Sequence, residues 1–238
     1  MLKVERIGAV MILVLDRPQA RNALNLELTR ALRARLADFD ADASLRALIL
    51  TATDPAFCAG LDLKDFSDAN SPRAEVTALL SDLPRHRKPV IGAINGAAMT
   101  GGLELALGCD FLIASERARF GDTHSKIGAL AGGGMSSRLP RAIGYRWAKQ
   151  MSFTCVPIDA ATACRIGLVN ELVAHETLRP RALELAQAVA QWDPELIATV
   201  KNVLDRGAQT TLEESGRIEA SALAERKSRG GMQWTTVD

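Results

Sequence analysis

A long apolar stretch, Val90 to Ser115, constrains this chain more than any other feature. Its length suggests a bilayer span. It nevertheless carries Asn95, Glu104 and Asp110, together with five glycines. Ionisable groups in the middle of a bilayer are costly, so a span is excluded. The stretch instead divides at its turn signals. Val90–Ile94 reads as a buried strand, Asn95-Gly96 as a turn, a helix opens near Gly102, and Phe111–Ser115 reads as another buried strand.

The rest of the first half continues this alternation. Ile7 to Leu15 is apolar, but Asp16-Arg17-Pro18 follows at once and no small-residue cleavage pattern is present. It reads as a strand ending in a turn (Ala9–Leu15), not as a targeting segment. Leu28, Leu32, Leu36 and Phe39 fall at helical spacing, which predicts an amphipathic helix over about 25–39 with Asn25 as its N-cap. Ala47–Thr51 is a short buried strand closed by Asp54-Pro55. Strands alternating with helices predict an α/β architecture.

The last third is helical. Leu178, Ala182, Leu185 and Val189 mark one helix. Asp193-Pro194 opens a second, running through Leu204. Thr211 with Glu214 is a capping-box pattern for a third. A core over 1–175 followed by a helical region over 176–238 is the expected organisation, with Arg229 to Asp238 frayed. Such a tail serves oligomerisation, acts as a lid, or is simply more core. No linker and no internal repeat separates the halves.

Composition narrows the function classes. A chain of 238 residues suits one large domain, or one domain with an appendage. Its 29 basic and 28 acidic side chains leave a net charge of +1, without the excess of positive charge that nucleic-acid binding requires. A local patch for one phosphorylated ligand remains compatible. Cys58, Cys109, Cys155 and Cys164 show no metal-binding spacing and read as buried thiols of a reducing compartment, so a cytoplasmic location is expected. His86, His124 and His175 are too scattered to suggest a metal site, and none is expected.

Two segments carry chemistry. In Ala56-Phe57-Cys58-Ala59-Gly60-Leu61-Asp62-Leu63 a small-residue pair lets the backbone approach a ligand closely, and Asp62 also suits a helix cap. In Asn95-Gly96 through Gly101-Gly102-Leu103-Glu104-Leu105 a strand ends and a helix begins. The unpaired N–H groups of that helix start suit developing negative charge. Glycines after strands are also ordinary turn punctuation. The pattern is neither G-x-G-x-x-G nor a P-loop, so nucleotide binding is not supported. Glu104 is harder to dismiss, because an unpaired carboxylate in the apolar run Leu103 to Leu107 would be costly.

Arg21-Asn22-Ala23-Leu24-Asn25, the two segments above, Cys109-Asp110, Phe120-Gly121 and Gly132-Gly133-Gly134 follow in an order and spacing that resembles the enoyl-CoA hydratase/isomerase (crotonase) superfamily. The set is specific for the superfamily and much less so for the reaction. The resemblance implies a crotonase-like spiral of repeated β-β-α units with a C-terminal helical trimerisation region, assembling as a homotrimer or a hexamer. It implies an acyl-CoA thioester substrate, whose coenzyme A is the only cofactor-like group, and a role in fatty acid metabolism such as β-oxidation. It places the oxyanion-hole amides at Leu61 and Gly101. It places substrate contacts at Arg21, Ala23, Leu24, Ala59, Gly60, Asp62, Leu63, Lys64, Gly102, Thr123 and Gly132. Arg21 and Lys64 are the candidates for phosphate contacts. Arg226 and Lys227 read as solvated charges, although the tail could reach a neighbouring subunit's ligand. Acyl-pocket width would depend on Phe66 to Leu83 and on the tail.

The same resemblance implies two glutamates in a hydratase, one activating water and one handling the α-proton. The first matches Glu104. Counting from Phe120-Gly121 places His124 at the second, with Asp122 as a further candidate proton donor. Three readings follow: a hydratase, an isomerase or other enolate-forming enzyme, and an acyl-CoA binder that lost efficient chemistry. A serine hydrolase is disfavoured, since Ser125 merely adjoins His124 and no G-x-S-x-G elbow exists.

Overall fold

The computed structural model describes residues 1–66 and 72–230. The pocket segment Phe66 to Leu83 and the frayed end Arg229 to Asp238 therefore fall partly outside the described residues. The described chain divides into two compact units, Met1–Gln191 and a second beginning at Trp192.

In the first unit, β1 (Leu2–Ile7) and β2 (Val10–Leu15) form an antiparallel pair. The helix α1 (Leu26–Ala41) follows, then β3 (Ala47–Ala52) and the short β4 (Ala56–Cys58). Next come α2 (Arg73–Asp82), β5 (Val90–Ile94), β6 (Ala97–Met99) and α3 (Gly101–Ala106). β7 (Phe111–Ser115) and β8 (Arg119–Gly121) lead into α4 (Met135–Ile143) and α5 (Tyr145–Thr154). β9 (Ile158–Asp159), α6 (Ala160–Arg165), β10 (Glu171–Val173) and α7 (Leu178–Ala190) complete the unit.

The strands form two sheets, β1-β2-β3-β5-β7-β10 and β4-β6-β8-β9. From β2 to β10 the larger sheet is parallel. β2, β3 and β5 are buried on both faces, which explains their unbroken apolar runs. One face packs Ile12, Ile49, Ile91 and Ile113 under Leu178, Ala182 and Ala186 of α7. The other joins Leu13, Leu48, Leu50 and Ile94 to Leu28, Leu32 and Phe39 of α1. Each fully buried leucine, isoleucine or phenylalanine among these contributes roughly 1.5–3 kcal/mol. Asn25 caps α1 as expected, its side chain accepting from Leu28 N at 2.9 Å.

Strands of the larger sheet feed the smaller one in turn: β3 into β4, β5 into β6, β7 into β8. This repeated turn is the spiral of β-β-α units. Because β4, β6 and β8 run parallel in neighbouring positions, the segments leaving them emerge at one end of the smaller sheet. Those segments are Ala59–Leu61, Thr100–Gly101 and Asp122–His124, so the topology brings together three regions distant in sequence.

The second unit contains α8 (Pro194–Gly207) and α9 (Leu212–Ser228). Asp193 and Thr211 cap them, accepting from Glu195 N at 3.0 Å and Glu214 N at 3.2 Å. The change to helix near 176 thus precedes the boundary between units, and α7 belongs to the sheet-bearing unit as core. Among the described residues, no helix is long and apolar enough to cross a membrane.

Candidate active site

The loop after β4 and the start of α3 lie against each other. A Cβ built on Gly101 would fall 2.8 Å from Leu61 Cδ1 and 3.5 Å from Leu61 N. Neither the Leu61 nor the Gly101 amide has a hydrogen-bond partner among the described residues. Gly101, rather than Gly102, is the first residue of α3, so its N–H belongs to the unsatisfied first turn. Thr100 precedes it at φ 47°, ψ −116°, a strained conformation for a β-branched residue, and its amide is tied to Gly121 O at 2.8 Å. Gly60 stands at φ +103°, where an added Cβ would lie 2.1 Å from Thr100 Oγ1. Only glycine fits there, and this permits the close approach.

The backbone around Arg21 braces this loop. Leu24 N donates to Gly60 O at 2.7 Å, Asp62 N donates to Leu24 O at 2.9 Å, and Ala59 N donates to Arg21 O at 3.1 Å. Ala23 and Leu24 are buried, while Arg21, Leu63 and Lys64 present exposed side chains beside them. Asp62 is held by Arg17 at 3.0 Å and accepts from Lys64 N at 3.2 Å. Fully buried Asn22 clamps the whole, donating to Thr53 O and Ala56 O at 2.7 and 2.6 Å and accepting from Arg17 N at 2.8 Å. Arg17 and Asn22 carry this support although neither stood out as a site residue in sequence. Cys58, buried beneath the loop, has its thiol pushed up to about 12 by burial and is an inert packing group.

Glu104 lies one turn into α3 with 2% of its surface exposed. Its Oε1 accepts from the amides of Gly133 and Met135 at 2.7 and 3.1 Å. A buried carboxylate thus gains two donors that offset its lost hydration. A Cβ on Gly133 would sit 2.9 Å from both Cδ and Oε2 of Glu104. Gly132, the expected substrate contact in this run, is exposed, and its neighbours Gly133 and Met135 hold the Glu104 carboxylate.

Oε2 of Glu104 faces His124 Nε2 at 3.8 Å, too far for a hydrogen bond and close enough for strong electrostatic coupling. His124 Nδ1 lies 2.7 Å from Asp122 Oδ1. That bond, opposed by partial burial and helped by the charge of Glu104, raises the His124 pKa above its ordinary value. Burial works against ionisation of Asp122, but hydrogen bonds from His124 and Ser152 outweigh it and hold its pKa low. Thr123 links the two, half-buried.

A two-sheet spiral that gathers unpaired amides and a buried carboxylate at one sheet end defines the crotonase class of acyl-CoA enzymes. The enoyl-CoA hydratase/isomerase family model matches residues 5–233. A Rhizobium meliloti protein named "Probable enoyl-CoA hydratase" is 39% identical over 92% of this chain and 86% of its own length. The short-chain-enoyl-CoA hydratase of Clostridium acetobutylicum is 34% identical over 93% and 87%. The crystal structure of enoyl-CoA hydratase from Bacillus anthracis matches with a TM-score of 0.90 and 33% identity, covering 94% of this chain and 89% of that one. That of Mycobacterium tuberculosis enoyl-CoA hydratase matches with a TM-score of 0.80 and 42% identity, covering 95% and 99%. The chain belongs to the enoyl-CoA hydratase/isomerase family.

Proposed function

We propose that this protein adds water to a 2-enoyl-CoA through a thioester enolate. The observation that carries the reading is the pair of unpartnered amides, Leu61 and Gly101, side by side, with buried Glu104 one turn further along the same helix as Gly101. In this mechanism the two N–H groups receive the thioester oxygen. Glu104 Oε2 takes a proton from water, whose oxygen bonds to the β-carbon while the π electrons move onto the thioester oxygen. The enolate then collapses at the α-carbon and takes the proton of His124 Nε2. Preorganised donors at the site of developing charge contribute about 3 kcal/mol each, and the start of α3 adds a favourable dipole.

Arg21 and Lys64 serve the coenzyme A phosphates in this reading, with the backbone of Ala59 to Leu63 beside the nucleotide. No cofactor beyond the substrate's own coenzyme A is needed. We further propose a homotrimer or hexamer, supported by exposed Leu196, Val200 and Leu204 on α8 and Leu223 on α9. A cytoplasmic site of action is supported by four cysteines without disulfide bonds. A place in fatty acid β-oxidation is compatible with this reaction type.

Two competing readings are an isomerase or other enolate-forming enzyme and a weakly active acyl-CoA binder, and replacement of the second glutamate by His124 favours the binder. Loss of enoyl absorbance from crotonyl-CoA and longer homologues decides between them. Hydration is expected. Tight acyl-CoA binding without turnover at any chain length would overturn the hydratase reading.

A further inference from the structure

His124 is the end of a side-chain array that starts on a separate helix. Ser152 on α5 donates its hydroxyl to Asp122 Oδ2 at 2.6 Å. The other carboxylate oxygen, Oδ1, takes the His124 ring at 2.7 Å and the His124 backbone N–H at 3.2 Å. Held at both oxygens, and with 5% of its surface exposed, Asp122 is confined to one orientation. An ionised carboxylate can only accept, so the proton on this side of the ring must sit on Nδ1. Nε2 is then the ring atom turned toward Glu104.

We infer that Ser152 and Asp122 are positioning residues: Ser152 fixes Asp122, and Asp122 fixes His124 with Nδ1 protonated and Nε2 aimed at the Glu104 carboxylate. The inference rests on the hydratase reading for its catalytic meaning. Asp122 itself is not the proton donor of the reaction, because both its oxygens are engaged away from Glu104. The charged groups acting on His124 are Asp122, at the end of β8, and Glu104, on α3. Arg138, half-buried on α4, acts on Glu104 and anchors its loop by donating to Gly133 O at 3.0 Å. The proton balance closes within the pair. Water gives one proton to Glu104, His124 gives one to the α-carbon, and Glu104 returns its proton to Nε2 before the next turnover.

The test is NMR titration of ¹⁵N-histidine in the full chain without substrate, with His124→Ala assigning the resonance, alongside steady-state kinetics on crotonyl-CoA. Wild type should show a pKa above the ordinary value, with both ring nitrogens protonated below it and the neutral ring above it in the Nδ1–H tautomer. Asp122→Asn should lower that pKa by about one unit or more and move the alkaline limb of kcat with it. Ser152→Ala should lower kcat by about tenfold with KM unchanged, and Ser152→Thr should restore it. An Nε2–H tautomer in wild type, or identical titrations in wild type and Asp122→Asn, would overturn the inference. Should Asp122→Asn not fold, wild-type kcat in Ser152→Ala would overturn it equally. The two readings fail separately. The expected titration without any turnover sinks hydration and leaves the array. Normal turnover with an unperturbed His124 sinks the array alone.

Discussion

On one wall of the site Leu61 and Gly101 offer main-chain amides, and on the other His124, Asp122 and Ser152 offer side chains. The amide wall depends on atoms that are missing. Any Cβ at Gly60 would strike Thr100, and any at Gly102 would lie 2.0 Å from Cys58 O. Its chemistry is indifferent to the side chain at Leu61 and intolerant of bulk at the glycines. The side-chain wall has the opposite sensitivity, since exchanging one functional group changes the proton inventory while the backbone stays in place. A fold can therefore keep one wall, the means of stabilising an enolate, while the other is rewritten. Here a histidine array stands where the family resemblance implies a second glutamate. Glu104 faces the side-chain wall across 3.8 Å, a side chain whose orientation is set by backbone donors.

The largest effect should come from removing the carboxylate proposed as the base. Glu104→Gln should cut kcat on the order of 10²–10⁴-fold while acyl-CoA affinity, measured by calorimetry, stays near wild type. A fully active variant would remove Glu104 from the mechanism. Gly133→Ala keeps every functional group but pushes against the Glu104 carboxylate and Leu80, at 2.9 and 2.4 Å. It should cost about 100-fold in kcat, as displacements near 1 Å do. Unchanged kcat would show that the amide cradle is not needed for orientation.

The pH dependence is gentler and reports on the side-chain wall alone. Because His124 holds its proton to higher pH than usual, the rate should stay flat through the ordinary imidazole range and fall as pH rises through the raised pKa. The linked stability has the same sign. It is fully present below pH about 6.5 and is lost as pH rises through the folded-state pKa. His124→Ala should abolish that limb, and a persistent limb would assign it elsewhere. The smallest effect should be Arg17→Met, which leaves Asp62 and the Ala23 carbonyl without their half-buried donor. Chemical denaturation should read a loss of about 1–3 kcal/mol, with KM for acyl-CoA raised more than kcat is lowered. A wild-type KM would separate loop support from ligand binding.

The amide wall was the more legible in sequence. Strands buried on both faces write themselves as apolar runs, so β2, β3, β5 and β7 were readable, and the small residues of Ala59-Gly60 and Gly101-Gly102 marked the close approach. The short strands β4, β6, β8 and β9 were not, because two or three residues contain no period. The spiral therefore came from family resemblance, not from pattern. The helical pattern of α7 was readable but not its place, since Leu178 and Ala182 repeat identically on a core helix and a tail. On the other wall, Ser152 lies thirty positions beyond Asp122 in an unremarkable helix. The donors to Glu104 are backbone amides that carry no residue signature. Such partners are set by tertiary contact alone.

Polarisation of the bound thioester tests the amide wall most directly. Infrared difference spectroscopy on the Glu104→Gln variant, which should bind crotonyl-CoA and leave it intact, reads the ¹³C-labelled carbonyl. The stretch should move to lower wavenumber than in free crotonyl-CoA, as expected for an oxygen that accepts two preorganised hydrogen bonds. A bound carbonyl that vibrates as it does in water would contradict the convergence of Leu61 and Gly101 on the substrate.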